Sequence, residues 1–265
     1  MVHLYKIECL TNLHVGSGEV NYSIVDNEVE KDINGYPVIH SSGLKGALRE
    51  QAEKKQFKLD EKTKYDKAKV EAIFGQTAGS GDIKPGSYKF FDGRLISRPM
   101  RVSGSETIAS IPVFTLESVN SFLEVISSFG LDPFKGVKHI DEGLINFGTT
   151  NFVSNVNGIL IEGEAAGTLS EKAVKVLMNL EAVIGTKYAV VKDFNTFSLP
   201  VIARNYLENG ISKNLWYEEV VPHGSVFYTL IITPDEKNEL DMKEIKQIGG
   251  HASIGYGFTK FTELS

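Results

Sequence analysis

Polar and apolar positions alternate imperfectly through "VHLYKIECLT", residues 2–11, where Leu4, Ile7 and Cys9 take apolar places, and this predicts an opening strand. A glycine-rich loop follows, "LHVGSG" and beyond. "GYPVIH", residues 35–40, reads as a short extended segment because Pro37 keeps its predecessor out of the helical region. The period then lengthens. In "SSGLKGALREQAEKK", residues 41–55, Leu44, Ala47, Leu48 and Ala52 fall on one helical stripe, with Ser41 or Ser42 as N-cap. Lys45 and Arg49 share the adjacent face, one turn apart.

Residues 61–74 predict a charged helix that ends in the loop "FGQTAGSGD". Strands are expected near 87–97 and 158–164, and helices at 116–129 and 170–184. "SVFYTLIITP", residues 225–234, reads as a strand from its β-branched and aromatic content, and "DMKEIKQI", residues 241–248, as a short helix. This order is α+β. It suits a duplicated or elaborated ferredoxin-like sheet with helices on one side. No internal repeat or low-complexity tract divides the chain, so residues 1–265 read as a single domain with insertions.

Composition narrows the class. With 265 residues, 42% hydrophobic and 23% charged, the chain is a soluble globular protein large enough for a substantial core. The single cysteine, Cys9, excludes an internal disulfide framework and an all-cysteine zinc site, which fits a reducing compartment. No charged leader followed by a long apolar run is seen at the start, and no run of about 18 apolar residues occurs, so cytoplasm is the expected location and no membrane the expectation. A net charge of −6 argues against a protein that coats nucleic acid with its whole surface. Locally the balance reverses. Residues 84–101 carry Lys84, Lys89, Arg94, Arg98 and Arg101 against Asp92 alone, with Tyr88, Phe90 and Phe91 between them. That stretch is either an aromatic-bearing basic face or an edge strand with solvated charges.

Three features could carry chemistry. Gly249, Gly250, Gly255 and Gly257 in "GGHASIGYGF" either bring backbone N–H groups to a phosphate or form a tight helix-to-strand connection. The Walker lysine and serine pattern is missing, and the loop is expected to follow a helix, so no P-loop or Rossmann fingerprint is supported. Ser42 and Lys45 have the S-x-x-K spacing of penicillin-recognising serine enzymes, but no S-D-N or K-T-G element accompanies them; an N-cap serine and a phosphate-contacting lysine explain the same pair. His14, beside the glycine loop, is either a base for phosphodiester chemistry or structural, and the six histidines show no metal-ligand spacing. Asp26 is either a turn residue after Ile24 and Val25 or a carboxylate presented to a substrate.

Taken together, "LHVGSG", "VDN", "GYPVIHSSGLKGALRE" and "GGHASIGYGF" resemble the RAMP superfamily of CRISPR RNA-handling proteins. "FFDGRLISRPMR", "IPVFTLESVNSFL" and "NLWYEEVVPHGSVFY" narrow the resemblance to the backbone subunit of the type III-B (Cmr) RNA-targeting complex. Each motif is loose, but their order and spacing extend over nearly the whole chain. The resemblance implies a subunit that stacks in several copies on a CRISPR guide RNA, beside other Cmr subunits, and cuts the paired single-stranded target RNA at regular intervals. It implies an RRM-like palm with a projecting β-hairpin thumb at about 200–220, where "ENG" reads as the turn.

The same resemblance implies that Asp26 is catalytic and holds a divalent metal ion (Mg or Mn), bound only with RNA present because one carboxylate is a poor site. It places His14, Glu218 and Glu219 near that chemistry. Ser41, Ser42, Lys45, Arg49, Arg98, Arg101, Trp216 and the four glycines become the RNA-binding candidates, with Trp216 stacking on a base or packing in the hairpin. Guide pairing would supply sequence specificity. The chain departs from the family pattern at "RVSGSETIAS", where a more apolar segment is expected, and in its acidic net charge, although a filament needs only one basic groove per subunit. A non-catalytic guide-binding scaffold is the alternative. The type III-A (Csm) backbone subunit is disfavoured by "NLWYEE" and by length.

Overall fold

In the first strand, β1 (Val2–Cys9), Leu4 enters one apolar cluster while Tyr5, Ile7 and Cys9 enter another, because successive side chains leave opposite faces of a strand. That division organises the computed structural model, which describes residues 1–16, 18, 25–53, 65–76, 84–235, 239–243 and 245–264. The chain continues with β2 (Val38–Ile39), α1 (Ser41–Glu53), α2 (Lys67–Phe74), β3 (Lys89–Phe90), β4 (Gly93–Ser103), β5 (Ser110–Phe114) and α3 (Leu116–Ser128). Next come β6 (Phe152–Ser154), β7 (Leu160–Ile161), β8 (Glu164–Thr168), α4 (Glu171–Leu177), α5 (Glu181–Ile184) and β9 (Ala189–Val191). The hairpin β10 (Val201–Glu208) and β11 (Ile211–Glu219) precedes β12 (Val226–Ile232), β13 (Lys246–Gln247) and β14 (Phe258–Glu263).

β1 lies antiparallel between β12 and β14 in a 12-stranded sheet ordered β13-β14-β1-β12-β4-β5-β9-β6-β8-β7, with β2 paired to β4 and β3 to β12 off this path. β7 also pairs back onto β4, so β4, β5, β9, β6, β8 and β7 close a circuit. The architecture is α+β, as expected. Helices cover both faces, however, and not one. Leu44, Leu48, Val70, Ile73 and Phe74 from α1 and α2 pack into the Tyr5–Ile7 cluster, while Val119, Phe122, Ala173 and Leu177 from α3 and α4 pack with Leu4. β12 feeds both, with Phe227 and Ile231 on one side and Tyr228 and Leu230 on the other.

Several local expectations are corrected. "DMKEIKQI" forms no helix among its described residues: Leu240, Met242, Lys246 and Ile248 are buried at a period of two, and β13 pairs with β14. The segment 170–184 breaks into α4, a 3₁₀ turn and α5. The strand near 158–164 is a hairpin whose turn residues Glu162 and Gly163 both have positive φ, 49° and 86°. The helix in 61–74 begins at Lys67, capped by the Asp66 side chain, which accepts from the Lys69 N–H; residues 61–64, and 77–83 of the predicted loop, lie outside the described residues.

"RVSGSETIAS" departs from the family pattern by turning β4 back into β5, with Gly104 at φ 78°. Neither Ser41 nor Ser42 caps α1. Ser41 is already helical, and its N–H donates to the Asp92 carboxylate at 2.7 Å. The hairpin expected at 200–220 is present as a sheet of its own, β10–β11, and Asn209 and Gly210 in its turn have φ of 52° and 79°.

Gly257 shows how tightly the C-terminal loop is packed. Its φ is +79°, and a Cβ there would sit 2.0 Å from the Ile248 carbonyl oxygen. Gly257→Ala is expected to cost about 2 kcal/mol or more, read as a lower urea midpoint at unchanged slope.

Candidate functional site

Side chains alternate along β11, so Trp216 and Glu218 share one face and Tyr217 and Glu219 the other. Glu218 is only 1% exposed. Its Oε1 accepts from Trp216 Nε1–H at 2.7 Å and lies 3.4 Å from His251 Nε2; its Oε2 accepts from Arg204 Nη1–H at 3.0 Å. Asn27 Nδ2 reaches the same carboxylate at 3.5 Å. Burial pushes the Glu218 pKa up, but the bonds from Trp216 and Arg204 and the charges of His251 and Arg204 outweigh it and hold the group below its ordinary value.

Glu219 is committed on the opposite face. It accepts from the Val29 N–H at 3.1 Å and pairs with Lys31 Nζ at 2.8 Å. Its own N–H donates to the Asn27 carbonyl, and its carbonyl accepts from His14 Nδ1 at 2.8 Å. A carbonyl only accepts, so Nδ1 of His14 carries the proton and Nε2 keeps its lone pair in the neutral ring. Gly16 leaves room there: a Cβ on it would lie 3.0 Å from His14 Nε2.

Asp26 is exposed and hooks onto the hairpin root. Its Oδ2 accepts from the Tyr217 N–H at 2.8 Å, and its own N–H donates to the Tyr217 carbonyl at 3.0 Å. The structure thus gathers His14, Glu218, Glu219, Trp216 and Asp26 around the base of β10–β11, although residues 17 and 19–24 of the preceding loop lie outside the described set. Of these, Glu218 and Glu219 have carboxylates engaged by neighbours on both oxygens, which makes them anchors of the root.

The RNA-binding candidates separate. Arg98 is 4% exposed; its guanidinium donates to the carbonyls of Ser198, Phe194 and Phe197 and stacks 5.2 Å from the Phe194 ring, so it holds the segment leading into β10 and is no surface cation. Burial lowers its pKa to about 10. Arg49 ties α1 to the end of α2, donating to Glu53 at 2.8 Å and to the Gly75 carbonyl at 3.0 Å. Arg101 is exposed and paired with Glu162 at 3.1 Å. Ser42 is exposed, and Ser41 and Lys45 are half-buried, at the α1 N-terminus, where the Asp92 carboxylate already meets the Ser41 N–H.

The four glycines form a connection and no open anion nest. The N–H groups of Gly250, Gly255 and Gly257 donate to the carbonyls of His14, Ala252 and Asn12, and a Cβ on Gly249 would collide with the His14 carbonyl at 2.3 Å. Gly249 and Gly250 approach the His14 backbone, and Gly257 the Ile248 carbonyl. The loop also carries a residue that sequence reasoning missed. His251 has φ 62°, and its ring lies 5.2 Å from that of His14. Burial first, then the charges of His14 and Arg204, lower its pKa against the pull of Glu218. The signal the sequence offered was a histidine set within a run of glycines, a residue type that tolerates the left-handed region better than most.

Arg204 was missed because counting back from the Asn209–Gly210 turn sets it opposite Leu215, whereas a bulge at Tyr206/Leu207 shifts it opposite Trp216, onto the Glu218 face. As for a metal, Asp26 supplies one carboxylate, and among the described residues no three His, Cys, Asp or Glu side chains cluster as metal ligands. This donor set does not fit a resident divalent cation.

The two depressed pKa values set an acid limit on stability. For each group the native state binds protons less readily than the unfolded chain, so its contribution is present above the unfolded value and is lost as pH falls: below about 6.5 for His251 and below about 4.5 for Glu218. His251→Gly is expected to flatten the first part of the melting-temperature decline in calorimetric scans from about pH 7 down to about pH 3, and Glu218→Gln the later part, below about 4.5.

Comparison with known proteins adds the following. Residues 6–260 match the RAMP superfamily. The chain is 27% identical over 295 residues to the CRISPR system Cmr endoribonuclease Cmr4 of Pyrococcus furiosus, covering 98% of this chain and 95% of that protein. Among solved structures it is similar to a chain of the type III-B Cmr-beta bound to cognate target RNA, with TM-score 0.74, 19% identity and coverage of 100% and 97%. It is also similar to the oligomeric Cmr4 of Pyrococcus furiosus, with TM-score 0.69, 22% identity and coverage of 100% and 99%.

Proposed function

Because the chain belongs to the RAMP superfamily, we propose that it is a repeated backbone subunit of a CRISPR type III-B effector complex, binding guide RNA and cleaving the paired target RNA at regular intervals. Its partners in this reading are the guide, the single-stranded target, further copies of itself and other Cmr subunits. The observation that carries the reading is the Asp26 hook on Tyr217, which sets an exposed carboxylate at the root of a projecting hairpin. The likeness to the Cmr endoribonuclease over nearly the whole chain supports it. We read the region around β1, β12 and β4 as an RRM-like palm of the ferredoxin-like type, β10–β11 as its thumb, and residues 1–265 as one RAMP domain.

The chemistry follows from that placement. The hairpin exposes Tyr206, Leu207, Ile211 and Leu215, side chains suited to wedge between bases and splay one nucleotide. A splayed ribose brings its 2′-hydroxyl in line with the adjacent phosphate, and strand scission then needs activation of that hydroxyl and stabilisation of phosphorane charge. Asp26, with Oδ2 held by the Tyr217 amide, takes the proton of the 2′-hydroxyl as that oxygen bonds to phosphorus and the P–O5′ bond breaks, leaving a 2′,3′-cyclic phosphate and a 5′-oxygen protonated from solvent. A divalent cation belongs to this reading only together with RNA, whose phosphates would have to complete a shell that Asp26 begins.

Lys45, half-buried near the start of α1, is the cation left for guide phosphates on this helix, since Arg49 and Arg98 are engaged within the protein. No helix among the described residues is long and apolar enough to cross a membrane, in keeping with a cytoplasmic complex.

The test is a reconstituted complex with guide, partner subunits, Mg²⁺ and labelled complementary RNA. Wild type is expected to give regularly spaced products, and Asp26→Asn to cut at least about a hundredfold more slowly while binding target equally. Equal cutting by both would remove Asp26 from the mechanism, and binding without cutting by either would leave a guide-binding scaffold.

A further inference from the structure

From the contacts behind the hairpin root we propose that His251, together with Arg204, is a positioning residue that acts on Asp26 through the buried Glu218 carboxylate. The role in cleavage rests on the function proposed above. Glu218 is gripped from two sides, with His251 Nε2 3.4 Å from Oε1 and Arg204 Nη1 3.0 Å from Oε2. The residue next to it, Tyr217, is the one Asp26 binds: the Tyr217 N–H donates to Asp26 Oδ2 at 2.8 Å, and the Tyr217 carbonyl accepts from Asp26 and Asn27 at 3.0 and 3.2 Å. Asn27, adjacent to Asp26, reaches back to Glu218 at 3.5 Å. Where the Glu218 carboxylate is held therefore sets where Tyr217, and with it Asp26, stands.

The backbone of His251 supplies an independent argument. Its φ of 62° lies in the left-handed region, which the neighbouring Gly249, Gly255 and Gly257 also adopt at 78°, 84° and 79°. Glycine takes that conformation freely, whereas a branched-off Cβ makes it costly. A loop that uses glycine at its other left-handed positions and an imidazole here has a use for the imidazole. The two neighbours also select its neutral tautomer: Nδ1 faces the Arg204 donor at 3.5 Å, so Nε2 carries the proton toward Glu218.

The test compares wild type, H251G and H251Q in the reconstituted, guide-loaded complex, by single-turnover cleavage and by equilibrium binding of labelled target. H251G deletes the imidazole and relaxes the backbone, so its folding is not at risk from strain. It is expected to cut about 10- to 100-fold more slowly at unchanged target affinity, and H251Q, which returns an N–H donor toward Glu218, to recover part of the rate. In parallel, hydrogen exchange of the Tyr217 amide in the full chain without RNA is expected to quicken about tenfold in H251G. Cutting by H251G at the wild-type rate, or loss of rate only in proportion to lost target affinity, overturns the positioning role. If wild type does not cut, the proposed function falls; the exchange measurement then decides this inference alone, with faster exchange supporting the hold on Asp26 and unchanged exchange overturning it.

Discussion

Taking a carboxylate out of water costs several kcal/mol unless neighbours replace the lost hydration, and a partner removed from a buried pair leaves most of that cost exposed. Glu218, 1% exposed, is the group on which the hairpin root depends. Arg204 comes from β10, Trp216 from β11 itself, Asn27 from the segment after the glycine loop and His251 from the C-terminal loop, so both strands of the hairpin and two stretches from outside it converge on one side chain. A lone two-stranded hairpin is marginal in water. This one is fastened where it leaves the body, with Glu219 adding the Val29 amide and Lys31 on the opposite face.

The same need for partners explains why two of the candidate RNA-binding cations are turned to the protein. Arg98 satisfies three carbonyls in the segment before β10, and Arg49 closes the end of α2. Arg98 lies in the stretch whose local charge suggested a basic face, and Arg49 was a candidate through the family resemblance. Their partners are backbone carbonyls, groups that every residue carries and that no local pattern marks. The glycine-rich C-terminal loop follows the same logic: its glycines admit the His14 backbone rather than a phosphate, and that contact brings His251 beside His14.

Much of the fold was legible because it is local. The strand character of β1 and β12, the helix α3 and the Asn209–Gly210 turn follow from periodicity and from residues that tolerate positive φ. The errors also have local causes. Residues 241–248 offered charged and apolar residues that fit a helix, but pairing with β14 imposed a period of two. A sheet buried on both faces was read as covered on one, since strands such as β12 are apolar throughout and their two sides cannot be told apart in sequence.

Sequence alone determined the α+β order, the hairpin and its turn, the candidate carboxylates, and a family resemblance that points to Asp26 as the residue to test. The tertiary structure decided what those side chains do. Asn27 and Glu218 meet across 191 positions, His14 bonds to a carbonyl 205 positions away, and a single bulge moves Arg204 to the Glu218 face. Propensity and periodicity act over a turn or a strand, whereas the state of a buried charge is set by whichever groups the folded chain brings within about 3 Å.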